Sequence, residues 1–150
     1  MSMEMHVFFH GELPTREALT ATMQELGFPF AIEPQDELLD EHAGFMPMTY
    51  RGIETGVEFD VWSNRADIEE IAGADIDSSF DRMANFRWGS VPLEGAAGYC
   101  VAAAIAKLTG GVTFDDVEGR TLTVDETLNV ARALLKNSSE LGERAQLAMS

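Results

Sequence analysis

Residues 94–108 read EGAAGYCVAAAIAKL, and this segment decides the predicted fold. Wound as a helix, it has small or apolar side chains on every side and charged ones only near its ends. A helix that lacks a polar face is normally buried in the middle of a domain. We therefore predict a central helix here, ended by Thr109-Gly110-Gly111, whose alanines let neighbouring elements approach closely.

The chain before this helix predicts a β-hairpin. Residues 44–50 and 56–62 form its two arms, and apolar side chains recur at every other position of the second arm. Arg51-Gly52 supplies the expected turn chemistry between the arms. Pro47 lies in the first arm, which favours an edge strand or a bulge at that point.

The remaining elements follow from alternation and from helix-capping residues. Further strands are expected at residues 5–10, 28–33, 84–89 and 112–114, and helices are expected to begin at the caps Thr15, Asn64 and Thr123. The first two strands enclose a helix, so we expect them to be parallel neighbours or near neighbours. The predicted fold is one α+β domain over residues 1–150. Its mixed, largely antiparallel sheet has five or six strands, with the Ala-rich helix buried, the other helices flanking it, and fraying at 1–4 and about 138–150.

Composition and charge exclude several classes of protein. The chain has 150 residues and a formal net charge of −16. This charge opposes binding to phosphate backbones and to anionic membranes, so neither nucleic acid nor a membrane is an expected partner. The start of the chain lacks the basic and apolar regions of a signal peptide, and the one cysteine, Cys100, suits a reducing compartment. We expect a cytoplasmic protein with a basic protein partner and an unknown oligomeric state.

The negative charge is concentrated in one third of the chain. Between Glu33 and Met83 there are fourteen acidic and three basic side chains, a net charge of −11. The most polar part of this region carries Asp36, Glu37, Asp40 and Glu41. The region either steers a basic partner to its binding face or serves only as a solvated surface.

No catalytic or metal-binding motif is predicted. Asp115-Asp116-Val117-Glu118 is interpreted as a turn with exposed acids, because it lacks the spaced oxygens of a calcium loop. His6 and His10 on one strand would be ~13 Å apart and could not chelate one ion. Cys100 lies in the apolar helix, where a thiol behaves as a small hydrophobe. The sequence therefore predicts no cofactor, no metal and no catalytic residue, and it leaves open whether the protein is an enzyme.

Tryptophan and arginine are the residue types that anchor interfaces. Arg87 and Trp88 are neighbours on one strand and point to opposite faces, so either one faces outward or Trp88 packs inside while Arg87 pairs with the acidic region. The candidate partner-binding residues are Asp36, Glu37, Asp40, Glu41, Glu58, Asp60, Trp62, Arg87 and Trp88. A different interpretation makes the protein a small enzyme or ligand-binding module with a pocket near Glu58, Arg87 and Trp88.

Four phrases of the sequence carry a resemblance. They are GFMP at 44–47, TGVE at 55–58, FRWG at 86–89 and LTGGVTFD at 108–115. In this order they resemble a family of small uncharacterised bacterial proteins, over roughly residues 5 to 135. Size and acidity also make the chain similar to the immunity and inhibitor proteins that bacteria and their phages keep against toxins or defence enzymes. That likeness implies a non-enzymatic acidic protein that engages a basic protein surface.

Overall fold

The computed structural model describes residues 3–116 and 118–149, with side chains described up to Ser138. In chain order the elements are β1 (Met3–Phe9), α1 (Arg16–Glu25), β2 (Phe30–Ile32), β3 (Ala43–Tyr50), β4 (Ile53–Trp62), α2 (Arg65–Ala72), β5 (Arg82–Trp88), α3 (Pro92–Thr109), β6 (Val112–Asp115), β7 (Arg120–Leu122) and α4 (Val124–Met149). The loop between β2 and β3, residues 33–42, is called the acidic loop below. It contains one 3₁₀ turn, Leu39–Glu41. Of the ends expected to fray, residues 1–2, residue 150 and the side chains from 139 onward lie outside this description; Glu4 belongs to β1, and the backbone of α4 continues to Met149.

The strands form one antiparallel sheet in the order β2-β3-β4-β5-β1-β6-β7. This confirms the α+β prediction, although the described part of the chain has seven strands instead of five or six. The extra strand is β7, which pairs with β6 across a turn and is only three residues long. The expectation for β1 and β2 is wrong in one respect. They run in the same direction, but three strands lie between them, because β3, β4 and β5 follow β2 as successive antiparallel neighbours and β5 is the one that pairs with β1.

The hairpin of β3 and β4 turns as predicted at Arg51-Gly52. Both residues have positive φ, +50° and +82°, which suits the tight turns that match the twist of the sheet. Pro47 lies inside β3 and has no N–H to donate. Its position in the register is opposite Glu33, one residue beyond the end of β2. Strand β2, at the edge of the sheet, therefore ends where Pro47 of β3 has no N–H to donate to the next hydrogen bond between the two strands.

Side-chain caps begin three helices as predicted. Thr15 and Asn64 each accept a hydrogen bond from a backbone N–H in the first turn of α1 and α2. Before α4, Thr123 and Glu126 cap each other reciprocally, with both hydrogen bonds at 3.1 Å. A hydrogen bond from Arg120, and one from the backbone of Thr123, hold the pKa of Glu126 below its ordinary value. Local sequence thus determines where these helices start.

Helix α3 is buried on every side, as its sequence predicts. All twelve residues from Gly95 to Ala106 are buried. Small residues permit this packing: a Cβ at Gly95 would lie only 2.8 Å from Nε1 of Trp88. Cys100 is 1% exposed and packs in this core, and burial raises the pKa of its thiol. None of the described helices has the length and apolar character needed to span a membrane.

The two faces of the sheet have different surroundings. On one face, Met5, Val7 and Phe9 of β1 join α1, α3 and α4 in the main core. On the other face, Phe8 packs with Ile68 of α2 in a smaller core. Because α2 has only eight residues, it covers only part of that second face. The uncovered part, which we call the open face, carries the candidate site.

Candidate functional site

Two rows of polar side chains cross the open face. Successive side chains of a strand point to opposite faces, and residues paired across neighbouring strands lie side by side. In the order β1, β5, β4 the first row is Glu4, Arg87, Glu58 and the second row is His6, Asn85, Asp60. Each row therefore brings together residues from three separate segments of the chain.

The first row is an ion pair with an additional carboxylate. Oε1 of Glu4 lies 3.0 Å from both Nε and Nη2 of Arg87. Both side chains are partly exposed, and such a pair contributes only ~0–1 kcal/mol to stability. Glu58 lies opposite Arg87 on the other flanking strand. With two carboxylates and one guanidinium, the row has a net negative charge.

The second row fixes the orientation of a histidine. An ionised carboxylate can only accept, so Nδ2 of Asn85 donates to Oδ1 of Asp60 at 2.8 Å. The other amide atom, Oδ1 of Asn85, then accepts from Nδ1–H of His6 at 2.6 Å. In the neutral imidazole this leaves a lone pair on Nε2, which has no hydrogen-bond partner among the described residues. His6 is only 6% exposed, so this lone pair is held in a fixed place.

These rows form the floor of a cavity of about 380 Å³, which we call the open-face pocket. Its volume is in the range of small-molecule sites, ~300–1,000 Å³. Trp62, Ile71 and Met83 contribute apolar walls, and the indole of Trp62 is 47% exposed. Three carboxylates and one guanidinium line it. The pocket thus combines an apolar rim with a negatively charged floor.

One more carboxylate, that of Asp116 after β6, extends the first row beyond β1. Met5 of β1 pairs with Asp115 of β6, so the next residue, Asp116, comes level with Glu4. One ligand atom from each of Glu4, His6 and Asp116 lies within 4.8 Å of the others. Two of these residues also line the open-face pocket. The fold therefore unites two carboxylates and an imidazole at one end of the pocket.

The acidic loop is partly held by internal cations. Glu37 lies 2.7 Å from Nδ1 of the buried His42 and 3.7 Å from Nη2 of the buried Arg16. Asp40 pairs with Arg82 at 2.6 Å. These two of the four predicted acids thus anchor the loop to α1, to β5 and to His42, the residue that precedes β3.

The other two predicted acids of this loop, Asp36 and Glu41, are exposed. They lie on either side of the two anchored carboxylates in the sequence. Glu37 and Asp40 are exposed as well, so the two pairs of acids differ in their ion-pair partners and not in their access to solvent.

Four of the other predicted site residues meet on the open face, and one does not. Glu58, Asp60, Trp62 and Arg87 all line the open-face pocket. Trp88 is on the opposite face, 8% exposed, with its ring edge-on to Tyr99 at 5.6 Å. Trp88 is thus no wall of the pocket, because adjacent residues of a strand point in opposite directions. Arg87 faces outward, and its ion-pair partner is Glu4 and not a member of the acidic region.

Sequence reasoning missed Glu4, His6, Asn85 and Asp116 as a group. Polar residues at alternate positions of two otherwise apolar strands, Glu4 and His6 on one and Asn85 and Arg87 on the other, were the available signal. On the sequence alone, His6 can be compared only with His10 and His42, and Asp116 only with the acids of its own turn. The pairing of β1 with both β5 and β6 brings them together, and no local pattern reveals that pairing.

A second groove lies between the hairpin and the start of α3. Its volume is about 630 Å³, and we call it the hairpin groove. Phe45, Ile53 and Val91 line it, and all three are about half exposed. The charged residues that line it are all acidic, namely Glu33, Glu54 and Glu94. This groove is an apolar surface with an acidic border.

The chain matches no model of a protein family, and it matches no curated protein. The function must therefore be argued from the geometry of the two sites.

Proposed function

We propose that the protein binds a small, positively charged molecule in the open-face pocket. The observation that carries this proposal is the convergence of Glu4, Glu58 and Asp60 on one cavity, with Arg87 as the single cation among its lining residues. A concave site with a few converging polar groups is the usual form of a small-molecule site. The negative floor favours a cation over an anion by direct Coulomb attraction.

The walls of the pocket suggest how such a ligand is held. Glu58 makes no hydrogen bond or ion pair with any described residue, so its carboxylate is free to bind a ligand. The exposed indole of Trp62 offers a face on which an ammonium or guanidinium group can stack, an interaction that contributes ~0.5–2 kcal/mol. With Nδ1–H of His6 donated to Asn85, Nε2 of this ring can act as an acceptor at the floor. The pocket is thus suited to a ligand-binding module or to a small enzyme that acts on an amine.

Calorimetric titration tests this proposal with a panel of small cations, namely agmatine, choline and spermidine, and with succinate as the anion. We expect at least one cation to bind and succinate not to bind. Glu58→Gln should weaken the cation by ~10-fold, the loss of about 1.4 kcal/mol of charge attraction. The matched control is Glu25→Gln, an exposed glutamate of α1 on the covered side of the sheet, and it should change nothing. Equal losses in both variants, or preferential binding of succinate, would refute the proposal.

We propose a second candidate function on the basis of the hairpin groove. In it the protein is a non-enzymatic acidic binding protein of the immunity or inhibitor kind, and it engages a basic protein surface. Phe45, Ile53 and Val91 would receive apolar side chains of the partner, while the acidic border would attract its basic residues. The net charge of −16 and the exposed Asp36 and Glu41 support the same kind of partner.

Association kinetics test this second candidate, with an amphipathic Lys/Leu peptide as the probe. Replacing Glu33, Glu54 and Glu94 by Lys should reduce the on-rate by ~10-fold or more at low salt, while the off-rate changes less. Reversal of Glu12, Glu25 and Asp75 changes the net charge equally and is the control. Glu37 and Asp40 are unsuitable for reversal, because they pair with internal cations. If both sets of reversals lowered the on-rate equally, the acidic residues would serve only as a solvated surface, and this candidate function would be refuted.

We also propose a cytoplasmic location. The one cysteine supports it, since Cys100 is a buried free thiol that suits a reducing compartment. Fractionation of the native cell, followed by detection of the chain, tests this assignment.

A further inference from the structure

We propose that Glu4, His6 and Asp116 bind a divalent transition-metal ion at the β6 end of the open-face pocket. Their ligand atoms lie within 4.8 Å of one another. Ligands bound at ~2.0–2.2 Å to one ion are ~3 Å apart, so small side-chain rotations suffice to close the site. Glu4 and His6 lie on β1, and Asp116 is the first residue after β6, the strand paired with β1, so the pairing of the two strands holds the three residues together.

The surroundings of His6 are those of a metal ligand. A ligating histidine almost always donates its other ring N–H to a fixed acceptor, which sets the tautomer and the ring orientation. Here Nδ1–H donates to Asn85, and Asn85 is itself held by Asp60. The ring is more than nine-tenths buried, and its second nitrogen has no partner among the described residues. This arrangement does not involve the two carboxylates, and it leaves the lone pair on Nε2 of His6 available to a metal ion.

The ligand set indicates which ions are preferred. One imidazole and two carboxylates suit Mn²⁺, Fe²⁺ or Zn²⁺, whereas Ca²⁺ and Mg²⁺ favour sites made of oxygen alone. Arg87 contacts only Oε1 of Glu4, which leaves Oε2 for the ion. Three protein ligands leave coordination positions open toward the pocket. The site is therefore of the open kind, which can also hold water or a ligand.

This inference goes beyond the proposed function and does not depend on it. Asp116 does not line the open-face pocket, and Glu58 and Trp62 do not belong to the metal-binding group. Glu58→Gln should therefore weaken the organic cation and leave the metal affinity nearly unchanged. Asp116→Asn should have the opposite effect, so failure of one proposal can be distinguished from failure of the other.

The test uses tag-free, metal-stripped protein titrated with Mn²⁺ alone. The ring signals of the three histidines are followed by NMR, and the affinity is measured by calorimetry. We expect substoichiometric Mn²⁺ to broaden the signal of His6 before those of His10 and His42. Glu4→Gln and Asp116→Asn should each weaken the ion by at least ~10-fold. Asp75→Asn, which removes an exposed acid elsewhere, should leave the affinity unchanged.

Three results would overturn the inference. The first is simultaneous broadening of all three histidines, which would indicate diffuse attraction to an acidic surface. The second is equal weakening by Asp116→Asn and Asp75→Asn. The third is binding of Ca²⁺, titrated in a separate experiment, as tight as that of Mn²⁺, which would indicate a site made of oxygen ligands alone. Circular dichroism of each variant, compared with the unchanged chain, keeps loss of the fold separate from loss of the ion.

Discussion

Ala103→Arg is expected to unfold the domain. Ala103 is completely buried within α3, between residues that are themselves buried. An unpaired charge at such a place costs several kcal/mol, and the guanidinium would also be too large for the space of a methyl group. The total stability of a domain is only ~5–15 kcal/mol. Urea denaturation followed by circular dichroism should show the variant unfolded, or near its midpoint, without denaturant.

The matched control is Ala133→Arg, which introduces the same side chain at an exposed position of α4. Its expected change is within ~0.5 kcal/mol, because surface substitutions away from special features are usually neutral. Equal stability of the two variants would contradict the central position of α3, and with it the whole arrangement of the sheet and its two faces.

Gly111→Ala is expected to give the second largest loss of stability. Gly111 lies between α3 and β6, and an added Cβ would overlap the carbonyl oxygen of Phe8 and come within 3.0 Å of Cβ of Phe9. Backbone atoms of β1 cannot rotate away, so the strands would have to separate. Such overpacking costs ~1–3 kcal/mol or more, equivalent to a decrease in Tm of roughly 3–10 °C. Differential scanning calorimetry measures the change.

Gly89→Ala is the control for this prediction. Gly89 has open space around its Cα and no positive φ, so alanine should be tolerated there. A Gly111→Ala variant as stable as Gly89→Ala would mean that β1 and β6 are not packed as closely as described. The proximity of Glu4, His6 and Asp116 would then be unsupported, because it depends on the same pairing of β1 with β6.

Local signals of the sequence predicted much of the fold. The turn at Arg51-Gly52 and the caps Thr15, Asn64 and Thr123 depend on residues a few positions apart, and the structure confirms them. The burial of α3 was also predictable, because its composition alone removes any polar face. In each case the physical cause acts within a single element.

The candidate site could not be assembled in this way. The hydrogen bond of His6 with Asn85 joins residues 79 positions apart, and that of Arg87 with Glu4 joins residues 83 positions apart. Strand order determines these contacts, and a sequence pattern does not encode it. The prediction of β1 and β2 as near neighbours failed for the same reason. Glu58, Arg87 and Trp62 were identified only by residue type.

Composition predicted how much negative charge this region carries, but it did not predict where on the molecule that charge lies. The acidic excess of the region from Glu33 to Met83 was evident from the sequence. The structure divides these acids among different environments: internal ion pairs for Glu37 and Asp40, the open-face pocket for Glu58 and Asp60, and the hairpin groove for Glu33 and Glu54. Net charge alone therefore does not identify a binding face.

The central claim is that the open face of the sheet is the ligand-binding surface. The two tryptophans provide the most direct test, because Trp62 is at the rim of the pocket and Trp88 is buried on the other face. NMR signals of their indole N–H groups should be recorded while agmatine, choline or spermidine is added. The account predicts that the Trp62 signal shifts to saturation with at least one of these cations while the Trp88 signal stays in place. No shift of Trp62 with any of them, or equal shifts of both tryptophans, would contradict it.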